Sequence, residues 1–143
     1  MTEDEVNVSV KKWLESQNCK YKGILNFGNG KVKSSDVGFG QVPVPLPSGM
    51  RSILIDHTGH NDRTKYLIWV EAKGEVGMSQ LLEGFIRVVC ACYWGGGSGL
   101  LAIPSAECSR MLEQQDFLKR VGISCERKVG ILDAEKKEVH WLT

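Results

Sequence analysis

The stretch "YLIWVEAKGE", residues 66–75, decides how the rest of this chain is read. Five mostly bulky apolar residues, Tyr66 to Val70, run straight into Glu71-Ala72-Lys73. A short continuous apolar run reads as a buried strand. Residues two apart on a strand share a face, so Glu71 and Lys73 point to the same side at its end. A carboxylate and an ammonium held together there mark the beginning of a polar site.

Upstream lies "RSILIDHTGHNDRTK", residues 51–65. The apolar runs Ile53 to Ile55 and Tyr66 to Val70 flank the polar tip "HTGHNDR", which predicts a hairpin. Downstream of Gly77 the period changes. Met78, Leu81, Leu82, Phe85, Ile86, Val89 and Tyr93 recur at three and four, the mark of an amphipathic helix. Gly77 or Ser79 can cap it, and "WGGGSG" ends it. "LLAIP" reads as a short buried strand. "SAECSRMLEQQDFLKRVG" reads as one helix from a Ser105 cap to a Gly122 stop. "KVGILDAEKKEVHWL" reads as two strands around a polar turn at Glu135 to Lys137. At the other end, a helix from about Glu3 to Gln17 buries Val6, Val10, Trp13 and Leu14. The strand "YKGILNF" and the loop "GNGKVKSSD" follow. Prolines 43, 45 and 47 in "VGFGQVPVPLPSG" each remove a ladder donor, so this stretch is an edge segment or an extended arm. The order α-β-β-β-α-β-α-β-β packs as a mixed sheet flanked by helices, in the α/β or α+β class.

A length of 143 residues suits one domain with its own core. Apolar residues at 42% and charged residues at 24% are ordinary for a soluble globular protein. No run of about 18 apolar residues predicts a membrane span. The acidic opening "MTEDEVNVSV" lacks the apolar centre of a secretory signal. Cys19, Cys90, Cys92, Cys108 and Cys125 are odd in number and form no C-x-x-C pair, which predicts reduced packing residues of a cytoplasmic protein. The formal net charge of +1 does not mark a nucleic-acid binder. Its distribution is more telling: residues 11 to 33 carry Lys11, Lys12, Lys20, Lys22, Lys31 and Lys33 against Glu15 alone. Such a stripe attracts phosphates, or serves only as a solvated helix face and loop.

A strand-end carboxylate can hold a hard divalent cation such as Mg²⁺. A lysine beside it can contact the attacking water or a phosphate oxygen, while the metal lowers the pKa of water and offsets charge on phosphate. One carboxylate is rarely enough, so a second acid must come from a neighbouring element. The series of a helix with an early acid (Glu5), a strand, a Gly-rich loop, Asp36, a strand, "VEAKGE" and a helix opening with "SQLLEGF" resembles the PD-(D/E)xK nuclease superfamily. The resemblance covers about residues 3 to 104, and the layout is similar to archaeal Holliday-junction resolvases and to small uncharacterised relatives carrying an "EAKG" strand.

That resemblance implies a restriction-endonuclease-like three-layer fold, a central mixed β-sheet flanked by helices. It implies one nuclease-like domain over residues 1–143, with a proline-rich insertion at about 40–51. The implied activity is Mg²⁺- or Mn²⁺-dependent hydrolysis of phosphodiester bonds, mostly in DNA. Some members have lost catalysis, so a nuclease-like module that binds nucleic acid or protein is the alternative. A homodimer, common in the superfamily, would use the insertion as a surface. Carried over by motif, Glu71 is the metal-binding acid, Lys73 the catalytic lysine and the Ala72 carbonyl a metal ligand.

Two residues compete to be the second acid. With the hairpin tip near Asn61-Asp62, Asp56 lies opposite Leu67, about 13 Å along the strand from Glu71 at roughly 3.3 Å per residue. Facing Glu71 would require a tip near Arg63-Thr64. Asp36 stands at the end of the Gly-rich loop, where the superfamily's first acid usually stands, and is preferred. The 35-position separation of Asp36 and Glu71 makes the proline-rich stretch an insertion. Glu5 and Gln80 are expected to assist from the two helices, although an acid in a first helical turn is also explained by the macrodipole. Lys11, Lys12, Lys31 and Lys33 are expected on backbone phosphates. Glu75 reads as a solvated loop acid. His57 and His60 with Asp62 fit a polar hairpin tip better than a zinc site. "GGGSG" lacks the Lys-Ser/Thr of a phosphate loop. Cys90 and Cys92 lie roughly 200° apart on their helix. The four tryptophans read as core or sheet-face residues.

Overall fold

The computed structural model describes residues 1–26, 40–47, 49 and 52–143. Helix α1, Glu3–Ser16, opens on Thr2, whose hydroxyl accepts from the Glu5 amide. Strand β1, Lys20–Gly23, leads into a 3₁₀ turn, Ile24–Asn26. Strands β2, Val42–Val44, and β3, Ile53–Ile55, form an antiparallel ribbon of their own. Strands β4, His57–Asn61, and β5, Tyr66–Ala72, make the hairpin. Then come α2, Met78–Gly95, and β6, Ser98–Ile103. Helices α3, Ser105–Leu112, and α4, Gln115–Ile123, precede strands β7, Val129–Asp133, and β8, Glu138–Trp141.

The main sheet has six strands in the order β1-β4-β5-β6-β7-β8. Strands β5, β6 and β7 run parallel, and the remaining pairs are antiparallel. The fold is therefore α/β, a mixed sheet flanked by helices, as the sequence predicts. Strand β5 is central, and its two faces serve two cores. Ile68, Val70 and Ala72 pack with Val6, Val10, Trp13 and Leu14 of α1. Trp69 points the other way and packs with Leu81, Phe85, Val88 and Cys92 of α2, with Met111 of α3 and Leu118 of α4. Val42, Val44 and Ile55 of the ribbon join this second core. Glu71, two residues after Trp69, continues the α2 face.

Four sequence expectations change. The hairpin partner of β5 is His57–Asn61, not Ile53 to Ile55, because β3 turns away to pair with β2. The stretch "HTGHN" is consequently a strand with His57 and Thr58 buried, not a polar tip. The third helix is two, separated at Glu113-Gln114 with neither Gly nor Pro to mark the break. Pro104 takes its cap position, and the Ser105 hydroxyl turns instead to the Asp133 carboxylate at 2.8 and 2.9 Å. There the hydroxyl donates a charge-assisted hydrogen bond to a buried carboxylate, whereas as a cap it would accept from a backbone amide. No helix among the described residues is long and apolar enough to cross a membrane.

Phe85 is 1% exposed and lies at the centre of the α2-side core. Phe85→Ala is expected to lower the unfolding free energy by about 3–5 kcal/mol. The readout is a lower urea midpoint at unchanged slope; an unchanged midpoint would contradict this placement of the core.

Candidate active site

The hairpin register decides the site. His57 pairs with Val70 and Asn61 with Tyr66, so the tip is centred on Arg63-Thr64. One residue beyond the ladder, Asp56 faces Glu71. The register expected from a tip at Asn61-Asp62 is thus corrected, and the separation it placed between Asp56 and Glu71 disappears. Asp56 occupies the bend where the chain passes from the ribbon into the main sheet. Its carbonyl accepts from the Ile24 amide at 3.1 Å. Its carboxylate accepts from the Ala72 amide at 3.0 Å and from the Gln41 side-chain amide at 2.8 Å. Asp36, Lys31 and Lys33 lie outside the described residues.

Glu71 is 4% exposed. The Arg87 guanidinium of α2 meets its Oε2 at 3.1 Å, and its Oε1 has no partner among the described residues. Burial pushes the Glu71 carboxyl well above its ordinary value, and Asp56 adds to this; Arg87 and Lys73 pull the other way without cancelling them. Asp56 moves down. Burial opposes ionisation there, but hydrogen bonding with the Glu71 carboxyl, the Ala72 amide and Gln41 outweighs it. The two carboxyls therefore behave as a pair that one proton, or one cation, can join.

Lys73 follows on the same face. Its stem lies along Gly84 of α2, where an added Cβ would come within 3.4 Å of the Lys73 Cγ and Cε. A side chain at residue 84 would narrow that lane. Gly74 plays the matching part toward α1, since a Cβ there would stand 2.8 Å from the Glu3 amide. A pocket of about 490 Å³ opens here, lined by Met1, Thr2, Glu3, Lys73, Gly74, Glu75, Val76 and Gln80.

Several predicted residues meet in this region and others do not. Lys73 and Gln80 line the same pocket at the end of β5 and the start of α2, whereas Glu71 is buried in β5 against Arg87 and is not part of that lining. Glu3 and Glu5 are both exposed in the first turn of α1, and Glu3 is the helix acid that feels both Asp56 and Lys73. Partial burial and Asp56 raise the Glu3 carboxyl, while Lys73 lowers it. Lys11 and Lys12 sit two turns further along α1, about 12 Å from Glu3 at 1.5 Å per residue. Lys11 lies over the Tyr21 ring, 5.4 Å from its centroid. Arg87 and Gln41 were not singled out from the sequence. Arg87 could have been, because it follows Gln80 by seven residues and so repeats its helix face. Gln41 carries no such signal.

Behind the carboxylates is a buried polar chain. His57 is fully buried, with Nδ1 2.6 Å from the Tyr21 hydroxyl and Nε2 2.8 Å from Asn7 Oδ1. Tyr21 in turn accepts from the Leu25 amide at 3.1 Å. A neutral imidazole protonated at Nε2 satisfies the set: Nε2–H donates to Asn7 and Nδ1 accepts from the tyrosine. With both ring nitrogens engaged, His57 is not a zinc ligand. Among the described residues no three His, Cys, Asp or Glu side chains form a metal cage.

No protein-family model and no curated protein matches the sequence. Among solved structures, the chain is similar to the crystal structure of an XisH family protein from Nostoc punctiforme PCC 73102. The likeness has a TM-score of 0.54 at 17% identity and spans 97% of this chain and 99% of that one. It is a likeness of fold.

The His57 chain has a pH signature. Burial lowers its pKa from 6.5 to about 4, against an upward pull from Asp56. The unfolded chain therefore binds a proton below pH 6.5 that the folded protein refuses until about pH 4. This contribution to stability is whole above pH 6.5 and falls by roughly 3 kcal/mol as pH drops to 4. Glu71, whose raised pKa favours the folded state only while protonated, titrates with the opposite sign at higher pH. The His57 share is read as wild type minus His57→Gln: the stability gap is expected to shrink by about that amount between pH 7 and 4. A gap independent of pH would contradict a buried neutral imidazole.

Proposed function

We propose that this protein is a metal-dependent nuclease that hydrolyses phosphodiester bonds, in DNA by the superfamily resemblance. The observation that carries the reading is Asp56 facing Glu71 across a strand pair, with a buried Glu71 oxygen lacking any partner among the described residues. Two carboxylates suit Mg²⁺ or Mn²⁺, which keeps several waters and needs few protein ligands. In this reading Asp56, Glu71 and the Ala72 carbonyl hold the ion, with Asp56 taking the place first expected of Asp36. The bound ion supplies electrostatic stabilisation of the phosphate and a more acidic water.

The chain's own groups account for the rest. Lys73, held forward over Gly84, orients the attacking water and neutralises a phosphate oxygen. Gln80 supplies an amide at the pocket wall. Glu3, rather than Glu5, is the auxiliary carboxylate: it lines the pocket together with Lys73, whose charge it feels. Lys11 and Lys12 are too far along α1 to touch the reacting group and would engage flanking phosphates, making binding salt-dependent. The XisH family likeness supports the fold that this reading needs and not the chemistry.

The test joins metal binding to cleavage. Wild-type protein is expected to bind Mn²⁺, with affinity rising with pH because the ion displaces the proton shared by Asp56 and Glu71. Glu71→Ala and Asp56→Ala are expected to abolish that binding. Lys73→Ala is expected to bind Mn²⁺ but cleave duplex, branched or single-stranded DNA at least about a hundredfold more slowly. Wild-type protein that binds neither Mg²⁺ nor Mn²⁺ would end the nuclease reading; DNA binding without cleavage by any metal-loaded form would indicate the non-catalytic module instead.

A further inference from the structure

The two carboxylates are not held alike. Apart from the facing Glu71 carboxyl, Asp56 is held by neutral donors, Gln41 and the Ala72 amide, one to each oxygen. Glu71 has a single charged partner on one oxygen, Arg87 Nε at 3.1 Å from Oε2. The same guanidinium donates through Nη1 to the Leu54 carbonyl of β3 at 3.3 Å. Its Nη2 lies 4.0 Å from Glu83, one turn back on α2. Because a guanidinium is planar, fixing two nitrogens on two different strands fixes its orientation. Glu71 is thereby held from one side, with Oε1 left over.

We propose that Arg87 is a positioning residue: it holds Glu71 Oε2 and so presents Oε1 as the one oxygen this side chain offers to a divalent cation, with the β2–β3 ribbon as the anchor of the clamp. The inference rests on the nuclease reading, since it assumes a cation between Asp56 and Glu71. It goes further in assigning a role to Arg87 and to the ribbon. Gln41, the residue before β2, donates to Asp56, and Leu54 of β3 accepts from Arg87, so the ribbon and the residue leading into it orient both carboxylates. Outer partners of this kind fix the geometry of metal ligands.

A simple charge argument predicts the opposite sign. Arg87 is a positive charge beside a cation site, so its removal alone would tighten divalent binding. If positioning governs, removal weakens it, because a buried carboxylate left without a partner turns from the ligand geometry. Mn²⁺ binding to the full chain, followed by electron paramagnetic resonance of the free ion, separates the two. Arg87→Leu is expected to bind Mn²⁺ at least about tenfold more weakly than wild type, while a cooperative thermal transition shows that it remains folded. Arg87→Lys, which keeps the charge but cannot span Glu71 and Leu54 together, is expected to fall between them. Equal or tighter binding by folded Arg87→Leu overturns the inference and leaves the nuclease reading intact. Should the leucine variant not fold, the lysine variant decides at constant charge: weakening beyond about threefold supports positioning, and wild-type affinity overturns it. A wild-type protein that binds no Mn²⁺ fails at the earlier step, so the two failures are distinguishable.

Discussion

Two carboxylates facing one another on adjacent strands, in a place largely closed to water, repel unless something positive comes between them. The arrangement of this protein's polar residues follows from that constraint. Arg87 stands against one oxygen of Glu71, Lys73 shares its face, and Asp56 is held by an amide on either side. Arg87 and Lys73 do not cancel the upward push on the Glu71 carboxyl, which comes first from burial and then from Asp56. A buried pair left incompletely neutralised is unfavourable for stability, and the proposed cation is what would relieve it.

The fold delivers those groups from three directions. Strand β5 carries Glu71 and Lys73 to its end. Helix α1 brings Glu3 from one face, and α2 brings Gln80 and Arg87 from the other. Two glycines permit the approach: Gly74 lets α1 begin against the strand end, and Gly84 leaves a lane for the lysine stem. The His57 chain ties α1, β1 and β4 together behind Asp56. Its cost in a low-dielectric interior is limited because the described polar atoms of the ring are satisfied. The likeness to an XisH family protein at 17% identity extends to the fold alone.

The sequence by itself determined the elements whose signal is local. Helical spacing identified α1 and α2 and their buried residues, and the apolar run ending in Glu-Ala-Lys identified the central strand and singled out Glu71 and Lys73, on which the proposed site rests. Gln80 was legible because it opens a helix directly after that strand. Only the tertiary structure decided the rest. Asp56 and Glu71 meet because the hairpin turns at Arg63-Thr64 and not two residues earlier, and because β3 leaves to pair with β2. Register depends on which pairing of whole strands buries more, a comparison that no short window contains. Arg87 and Gln41 reach the site through contacts 16 and 15 residues away in sequence, and Glu3 through one more than fifty away. Local pattern reports which face a residue occupies; which distant side chain shares that face is settled only when the chain closes on itself.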